Sequence, residues 1–285
     1  MPESKFERYP HISLLTSLRP TPRILLGKPL LWTIKEDGEN ASLWIKKGNR
    51  RWFGKKQTFM ISSRNQEQAH KDIRRVIENT QEFPIIKQLI EDNPNYRIVV
   101  EECRKGRSVT GIKEYDRDKL IVIDIYDMTA QKYLPYILVY QMCYHLHIPI
   151  VKLYAETRHR SMKDLLKYKN HILEVCKSIG EEGMVIKTYG EKGELIQAKV
   201  KLDTPEPIEK KIREGKPIYP TMPDNEVWGA ISKVETDFGL TGDPKTDMPH
   251  IVEYINEEMK KHLFSKPERN YFFYYKDYME RMKHE

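Results

Sequence analysis

Lys35-Glu36-Asp37-Gly38-Glu39-Asn40 follows an apolar, strand-like stretch built from Ile24-Leu25-Leu26 and Leu30-Leu31-Trp32. A lysine held just past such a run has its amine partly desolvated, which lowers its pKa and frees a lone pair for attack. Asp37-Gly38 makes a tight turn, and Gly38 lets the backbone come close to a ligand. Alone, the hexapeptide also reads as a hairpin turn with solvated charges, so its meaning depends on what stands at later positions.

From Arg23 to about Ser63 short alternating apolar runs are separated by Gly, Asn and Lys, the pattern of a strand meander. The spacing of Ala69, Ile73, Val76 and Ile77 predicts a helix from Gln66 to Thr80 with Asn65 as its N-cap, and a second helix is predicted over Pro84–Glu91. Arg97–Glu102 and Leu120–Ile125 read as strands, 131–147 as a helix, and Ser161–Ile179 as a helix started by a serine and stopped by Gly180. Gly183–Lys187 and Leu195–Lys201 read as two further strands. After Leu202 the character changes: Asp203-Thr204-Pro205-Glu206-Pro207 reads as a linker and the rest as helix interrupted by Pro217, Pro220 and Pro223. The expected organisation is a mixed α+β domain over residues 1–204 and a helical C-terminal domain over 205–285.

The chain has 285 residues, 39% hydrophobic and 32% charged, with a net charge of +7. It is long enough for a sizeable core, has no apolar stretch long enough to span a membrane, and its first ten residues lack the apolar core of a signal peptide. Cys103, Cys143 and Cys176 are too scattered for a disulfide framework or a paired zinc motif, so a reducing cytoplasm is the expected location. The positive balance suits a polyanionic partner. Lys46, Lys47, Arg50, Arg51, Lys55 and Lys56 surround Trp52-Phe53, so this segment can neutralise phosphates while offering an aromatic face to a base. The alternative for the same segment is a solvated β-hairpin turning at Gly48-Asn49.

The charged clusters at strand ends carry the chemistry: Lys35, Ser63-Arg64-Asn65, Glu101-Glu102, Glu181-Glu182-Gly183 and Lys199-x-Lys201. Lys199 and Lys201 stand two apart on a strand and so share a face. Two cations on one face among apolar strands are costly unless an anion lies opposite, and phosphate is the obvious one. Glu102 and Glu182 then suit a divalent metal or a ribose hydroxyl.

In order and spacing these residues resemble the covalent nucleotidyltransferases: ATP-dependent RNA ligases, DNA ligases and mRNA-capping enzymes. The matching elements are Lys35-x-Asp-Gly-x-Asn40, Ser63-Arg64, Glu102, Ile123-Asp124-Ile125, Glu182-Gly-Met-Val-Ile-Lys187 and Lys199-Val-Lys201. The resemblance implies a nucleotidyltransferase (ATP-grasp-like ligase) fold of antiparallel sheets flanked by helices. It further implies that Lys35 attacks the α-phosphate of ATP to form lysine–AMP, with Lys199 and Lys201 lowering its pKa and binding the developing charge. Glu182 is then the carboxylate associated with Mg2+ or Mn2+. Ile34, Asn40, Arg64, Glu102, Ile123, Met184, Val185 and Lys187 form the nucleotide site, with Glu102 on a ribose hydroxyl, Arg64 on a ribose or on the phosphate of the polynucleotide end, and Lys187 on a phosphate. AMP then passes to a 5′-phosphate end, and a 3′-hydroxyl displaces it.

Two departures from the DNA ligases and capping enzymes point to an RNA ligase. Asn40 stands where those enzymes usually have arginine, and the tail reads as helices rather than as an OB barrel. The alternatives are a DNA ligase, a GTP-dependent guanylyltransferase, and a non-catalytic RNA-binding protein on the same fold. Thr33 and Ile34 replace an expected base-reading glutamate, and Ile123 replaces an aromatic that would stack on the base, leaving the base between Ile123 and Met184 or Val185. Glu102 is preferred over Glu101 because it ends the apolar strand and is followed by Cys103. Cys143-x-His145-x-His147 reads as a core cysteine with partly exposed histidines, Asp124 and Asp127 equally as metal ligands or as strand-ending aspartates that cap a neighbouring backbone group, and Tyr271–Tyr275 as aromatics packed on the main domain.

Overall fold

A computed structural model describes residues 6, 8–15, 22–51, 54–106, 113–190, 193–202 and 219–283. Strands β2 (Leu30–Ile34) and β3 (Glu39–Arg51), which flank Lys35, lie in different sheets. The Lys35–Gly38 segment is therefore a crossover between sheets rather than a hairpin turn. The first sheet has the order β1 (Ser13–Leu14), β10 (Leu195–Lys201), β9 (Gly183–Tyr189), β2 and β8 (Leu153–Thr157). The second has the order β4 (Gly54–Ser63), β3, β5 (Tyr96–Cys103), β6 (Lys119–Asp127) and β7 (Lys132–Tyr133). All pairings are antiparallel except β1 on β10.

Each sheet has its own apolar core. Under the second sheet, Leu43, Ile98, Val100 and Val122 pack with Ile73 and Ile77 of α1 (Lys71–Asn79), with Ile86 and Ile90 of α2 (Phe83–Asp92), and with Val139 and Cys143 of α3 (Tyr136–His145). Under the first sheet, Leu30, Trp32, Met184, Ile186 and Ala198 pack with Leu165, Ile172 and Cys176 of α4 (Met162–Ile179). Trp32 and Trp44 are fully buried, and each indole N–H is satisfied, by Thr157 Oγ1 and Ser62 Oγ, both at 2.8 Å. Helices α5 (Asp224–Phe238), α6 (Pro244–His262) and α7 (Tyr271–Lys283) pack on one another around Val227, Ile231, Ile251, Ile255, Tyr274 and Tyr275, and Leu14 of β1 joins them. The fold is thus α+β, two antiparallel sheets flanked by helices with a helical C-terminal region.

Several expected boundaries shift for local reasons. Helix α1 starts at Lys71, after His70, because Ser63 Oγ accepts the N–H groups of Asn65 and Gln66 (3.3 and 3.0 Å) and holds that segment in a turn. Asn65 is therefore not the N-cap. Within 131–147 the short β7 pairs with β6, and α3 begins only after Pro135. Helix α4 starts at Ser161, whose side chain accepts the Asp164 N–H, and ends at Gly180 with φ +70°. Strand β3 runs through Gly48-Asn49 to Arg51, which pairs with Gly54, so the hairpin does not turn at Gly48-Asn49; Trp52 and Phe53 lie outside the described residues. Linker residues 203–207 and Pro217 also lie outside them. Tyr274 and Tyr275 are buried in the core of the tail itself rather than against the main sheets, while Phe272 and Phe273 are exposed.

Two glycines are required by close approach. A Cβ on Gly38 would overlap the backbone carbonyl oxygen of Glu102, and one on Gly183 the carbonyl of Val200. At Gly38 this lets the Lys35 crossover press against β5.

Candidate active site

The Lys35 backbone N–H donates to the Gly183 carbonyl (3.0 Å), which fixes the crossover at the start of β9. The Lys35 side chain extends into a cleft between the sheets and α5, with about 1190 Å³ of empty space including its solvent-open mouth. There its ammonium forms an ion pair with the buried carboxylate of Glu182. Glu182 Oε1 lies 2.6 Å from Lys201 Nζ, Lys201 lies 3.1 Å from Glu226 Oε1, and the same Glu226 oxygen lies 3.7 Å from Lys199 Nζ. The row Lys35, Glu182, Lys201, Glu226, Lys199 thus alternates in sign, and the four after Lys35 are at least nine-tenths buried. Alternation is what makes such burial tolerable, since each charge has an opposite neighbour.

The same row sets the protonation states. Burial pushes the Lys35 pKa down and Lys201 adds to this, but Glu182, Glu101 and Asp37 outweigh them and the net direction is up. The expected lowering of Lys35 by its lysine neighbours is therefore overridden by the carboxylate beside it. Burial raises the Glu182 pKa, yet Lys201 and Lys35 bring it down to about 2. Burial with the nearby Lys201 brings Lys199 down to about 8 despite Glu226, whereas Glu182 and Glu226 overcome burial to raise Lys201. Glu101 is pushed up to about 8 by burial and by Glu39, Glu36 and Glu182 around it, against the pull of Lys35.

Helix α5 forms the wall opposite the sheets, contributing Glu226, Gly229, Lys233, Thr236 and Asp237. Asp237 accepts from Asn65 Nδ2 (2.9 Å), Tyr254 Oη (2.5 Å) and Ser63 Oγ, and Ser232 of the same helix donates to Glu39. The helical region is therefore bonded to both segments that precede it in the cleft, Glu39-Asn40 and Ser63-Arg64-Asn65.

A family model described as RNA ligase matches residues 28–201, well over half of the chain. The chain belongs to the RNA ligase family. Among solved structures, an archaeal ATP-dependent RNA ligase is similar over 98% of this chain and 62% of its own, at 13% identity and a TM-score of 0.51, which is a likeness of fold. A putative ATP-dependent DNA ligase from Aquifex aeolicus matches over 90% of this chain and 60% of its own, at 16% identity and a TM-score of 0.49. The Naegleria gruberi RNA ligase K326A mutant, solved with ATP and Mn, matches over 70% of this chain and 56% of its own, at 17% identity and a TM-score of 0.49. The chain spans less than two thirds of the length of these three proteins. No curated protein sequence matches it.

In this RNA ligase family member, Lys35, Ile34, Asn40, Arg64, Ile123, Glu182, Val185, Lys187, Lys199 and Lys201 all line the one cleft. Glu101 lines it and Glu102 does not: Glu102 turns to the other face of β5 and pairs with Arg104 at 2.6 Å. Met184 likewise lies in the apolar core beneath the first sheet, leaving Val185 on the cleft side. Lys187 is 1% exposed, bonded at 2.9 Å to both Asp124 Oδ1 and the Ile123 carbonyl, so its charge is already matched inside the protein. Lys46 pairs with Glu67 at 2.7 Å and Lys47 donates to Asn95; the side chains of Arg50, Arg51, Lys55 and Lys56 lie outside the described residues. Asp127 caps the Thr129 and Ala130 N–H groups, and Cys143 is buried beside exposed His145 and His147. The sequence reading missed Glu226 and Lys233. Their signal is the i, i+7 spacing of the charged pair 226 and 233 across Gly229, which in isolation looks like an ordinary solvated helix face.

Proposed function

We propose that this chain is an ATP-dependent RNA ligase that works through a covalent Lys35–AMP. The observation that carries the reading is the alternating buried charge row ending at Lys35, because such a row places one nucleophile beside a bank of cations suited to phosphate. The Lys35 ammonium first gives up its proton. Its Nζ then attacks the α-phosphorus of ATP, the bond to the bridging oxygen breaks, and pyrophosphate leaves. Lys199 and Lys201 face the charge developing on the α-phosphate oxygens. An oxygen of an RNA 5′-phosphate next attacks the same phosphorus, which frees Lys35 and leaves AMP on the RNA end. Finally a 3′-hydroxyl attacks the RNA phosphorus and AMP departs. The ribose contact assigned to Glu102 passes to Glu101, whose raised pKa lets a protonated carboxyl donate to a hydroxyl.

The cleft also fits a divalent metal. Glu182 and the buried Asn40 Oδ1, which has no hydrogen-bond partner among the described residues, are hard oxygen donors of the kind Mg2+ and Mn2+ prefer. When bound, such an ion would neutralise charge on the transferring phosphate. The basic β3–β4 hairpin, Lys46 to Lys56, is the surface we assign to the RNA backbone. Among the described residues no helix is long and apolar enough to cross a membrane.

Incubation with α-labelled ATP and magnesium should leave label on the denatured protein, released by acid and stable to alkali. Failure of wild-type protein to take label from either ATP or GTP would overturn the reading. Sealing of nicked RNA in preference to nicked DNA, with a 5′-phosphate and not a 5′-diphosphate end, should identify the substrate.

A further inference from the structure

Outside the cleft, three metal-ligating side chains converge from two distant parts of the chain. His11 lies on the segment that enters β1, and Glu258 and His262 stand four apart on one face of α6. The Nε2 atoms of His11 and His262 face each other at 3.1 Å, and His262 Nε2 lies 3.4 Å from Glu258 Oε2. Three ligand atoms around a tetrahedral ion at roughly 2.0–2.2 Å stand roughly 3.3–3.5 Å apart. The His262–Glu258 spacing meets that value and the His11–His262 spacing falls 0.2 Å short of it. The donor atoms all lie within 4.8 Å of one another, so a rotation of one side chain closes the third.

The chemical state of the groups also fits. Glu258 and His262 are each 3% exposed; Glu258 Oε2 is buried and, among the described residues, is approached only by His262, while Lys233 and Lys261 take the other oxygen at 3.2 and 3.3 Å. Two facing imidazole nitrogens can share only one proton, whereas a cation takes a lone pair from each.

We propose that His11, Glu258 and His262 form a site for a first-row divalent ion, Zn2+ above the others, that ties the N-terminal strand to α6. Two neutral imidazoles and a carboxylate are a zinc donor set, with the remaining position left to water. The ion would bear on the cleft at second hand. His11 precedes Ile12, which lines the cleft, and Leu14 of β1 is the register partner of Lys199. Glu258 holds Lys233, another lining residue. Metal binding would thus clamp the helical wall onto the sheet wall.

The test is Zn2+ binding to metal-stripped full-length protein without nucleotide, followed by equilibrium dialysis and by the visible d–d absorption of a Co2+-loaded sample. One equivalent should bind, with the spectrum of a four- or five-coordinate centre and a higher unfolding temperature. Glu182→Gln should bind the same equivalent, which separates this site from the cleft. His11→Ala is the decisive variant because His11 is the least buried ligand; it should keep the metal-free circular dichroism of the wild type yet lose at least ~10-fold in affinity along with the Zn2+-dependent stabilisation. His262→Cys, which restores a ligand, should retain binding. Equal affinity in wild type and His11→Ala, or no bound ion in the wild type, would overturn the proposal and leave a plain histidine–histidine hydrogen bond.

Discussion

The two walls of the cleft both carry charges but place them by different rules. On the sheet wall, Lys35, Glu182, Lys199 and Lys201 are fixed by ladder register: Gly183 pairs with Lys201, Val185 with Lys199, and Ile34 with Met184. On the helix wall, Glu226 and Lys233 are placed by how α5 docks, through bonds such as Asp237 to Asn65 and Ser232 to Glu39. A strand's side-chain period of two can be read along the chain, while a helix face acquires meaning only once its partner is known. The sheet wall holds the proposed chemistry, and the helix wall completes its charge balance.

That contrast can be broken in order of size. Lys35→Ala should abolish labelling from ATP while lowering the unfolding temperature only modestly, since Glu182 keeps Lys201 as its partner. Lys187→Met tests a lysine of the sheet wall that serves structure: it strands Asp124 in the interior and should destabilise the fold by about 3–5 kcal/mol, read from urea unfolding. On the opposite wall, Glu226→Gln should cost less, about 1.5–3 kcal/mol, because Lys201 keeps Glu182, and labelling should stay within about ten-fold of wild type. A loss as complete as that of Lys35→Ala would move Glu226 into the chemistry and erase the distinction between the walls.

The smallest effect is one of pH. Glu101 is raised from 4.5 to about 8 in the folded state, so the native protein holds this proton more tightly than the unfolded chain. The associated stability is full below pH 4.5 and is lost as pH rises towards 8. Glu101→Gln should therefore flatten the fall of unfolding temperature between pH 5 and 8, and superimposable profiles would place Glu101 away from the other carboxylates.

The sheet wall was largely legible in the sequence. Lys199-x-Lys201 demanded a shared face, and Gly183 after Glu182 marked the point where two backbones touch. The choice between Glu101 and Glu102 was not legible, because β5 is buried on both faces near its end and a register shift at Val99/Val100 disturbs its alternation. The better signal was Asn40, whose register partner is Glu101. Lys187 kept the spacing of a phosphate ligand, yet its partner Asp124 is 63 residues away and only the packing of two sheets joins them. Glu226 was hidden by ordinariness: an acid in the first turn of a helix is expected for its dipole alone.

Asp124 carries a consequence of its own. It receives Lys187 from one sheet, Gln197 from the neighbouring strand (3.2 Å), and Tyr9 from the N-terminal segment (2.5 Å), while itself belonging to the other sheet. Two sheets with separate apolar cores would ordinarily be free to melt one after the other. A buried ion pair shared between them opposes that freedom, because either half unfolding alone would give up the pair that both sheets bury. Together with the apolar residues that join the sheets, such as Leu31 beside Cys103 and Leu195 beside Val99, this pair couples the two halves and with them the geometry between Lys35 and Glu101, which spans them.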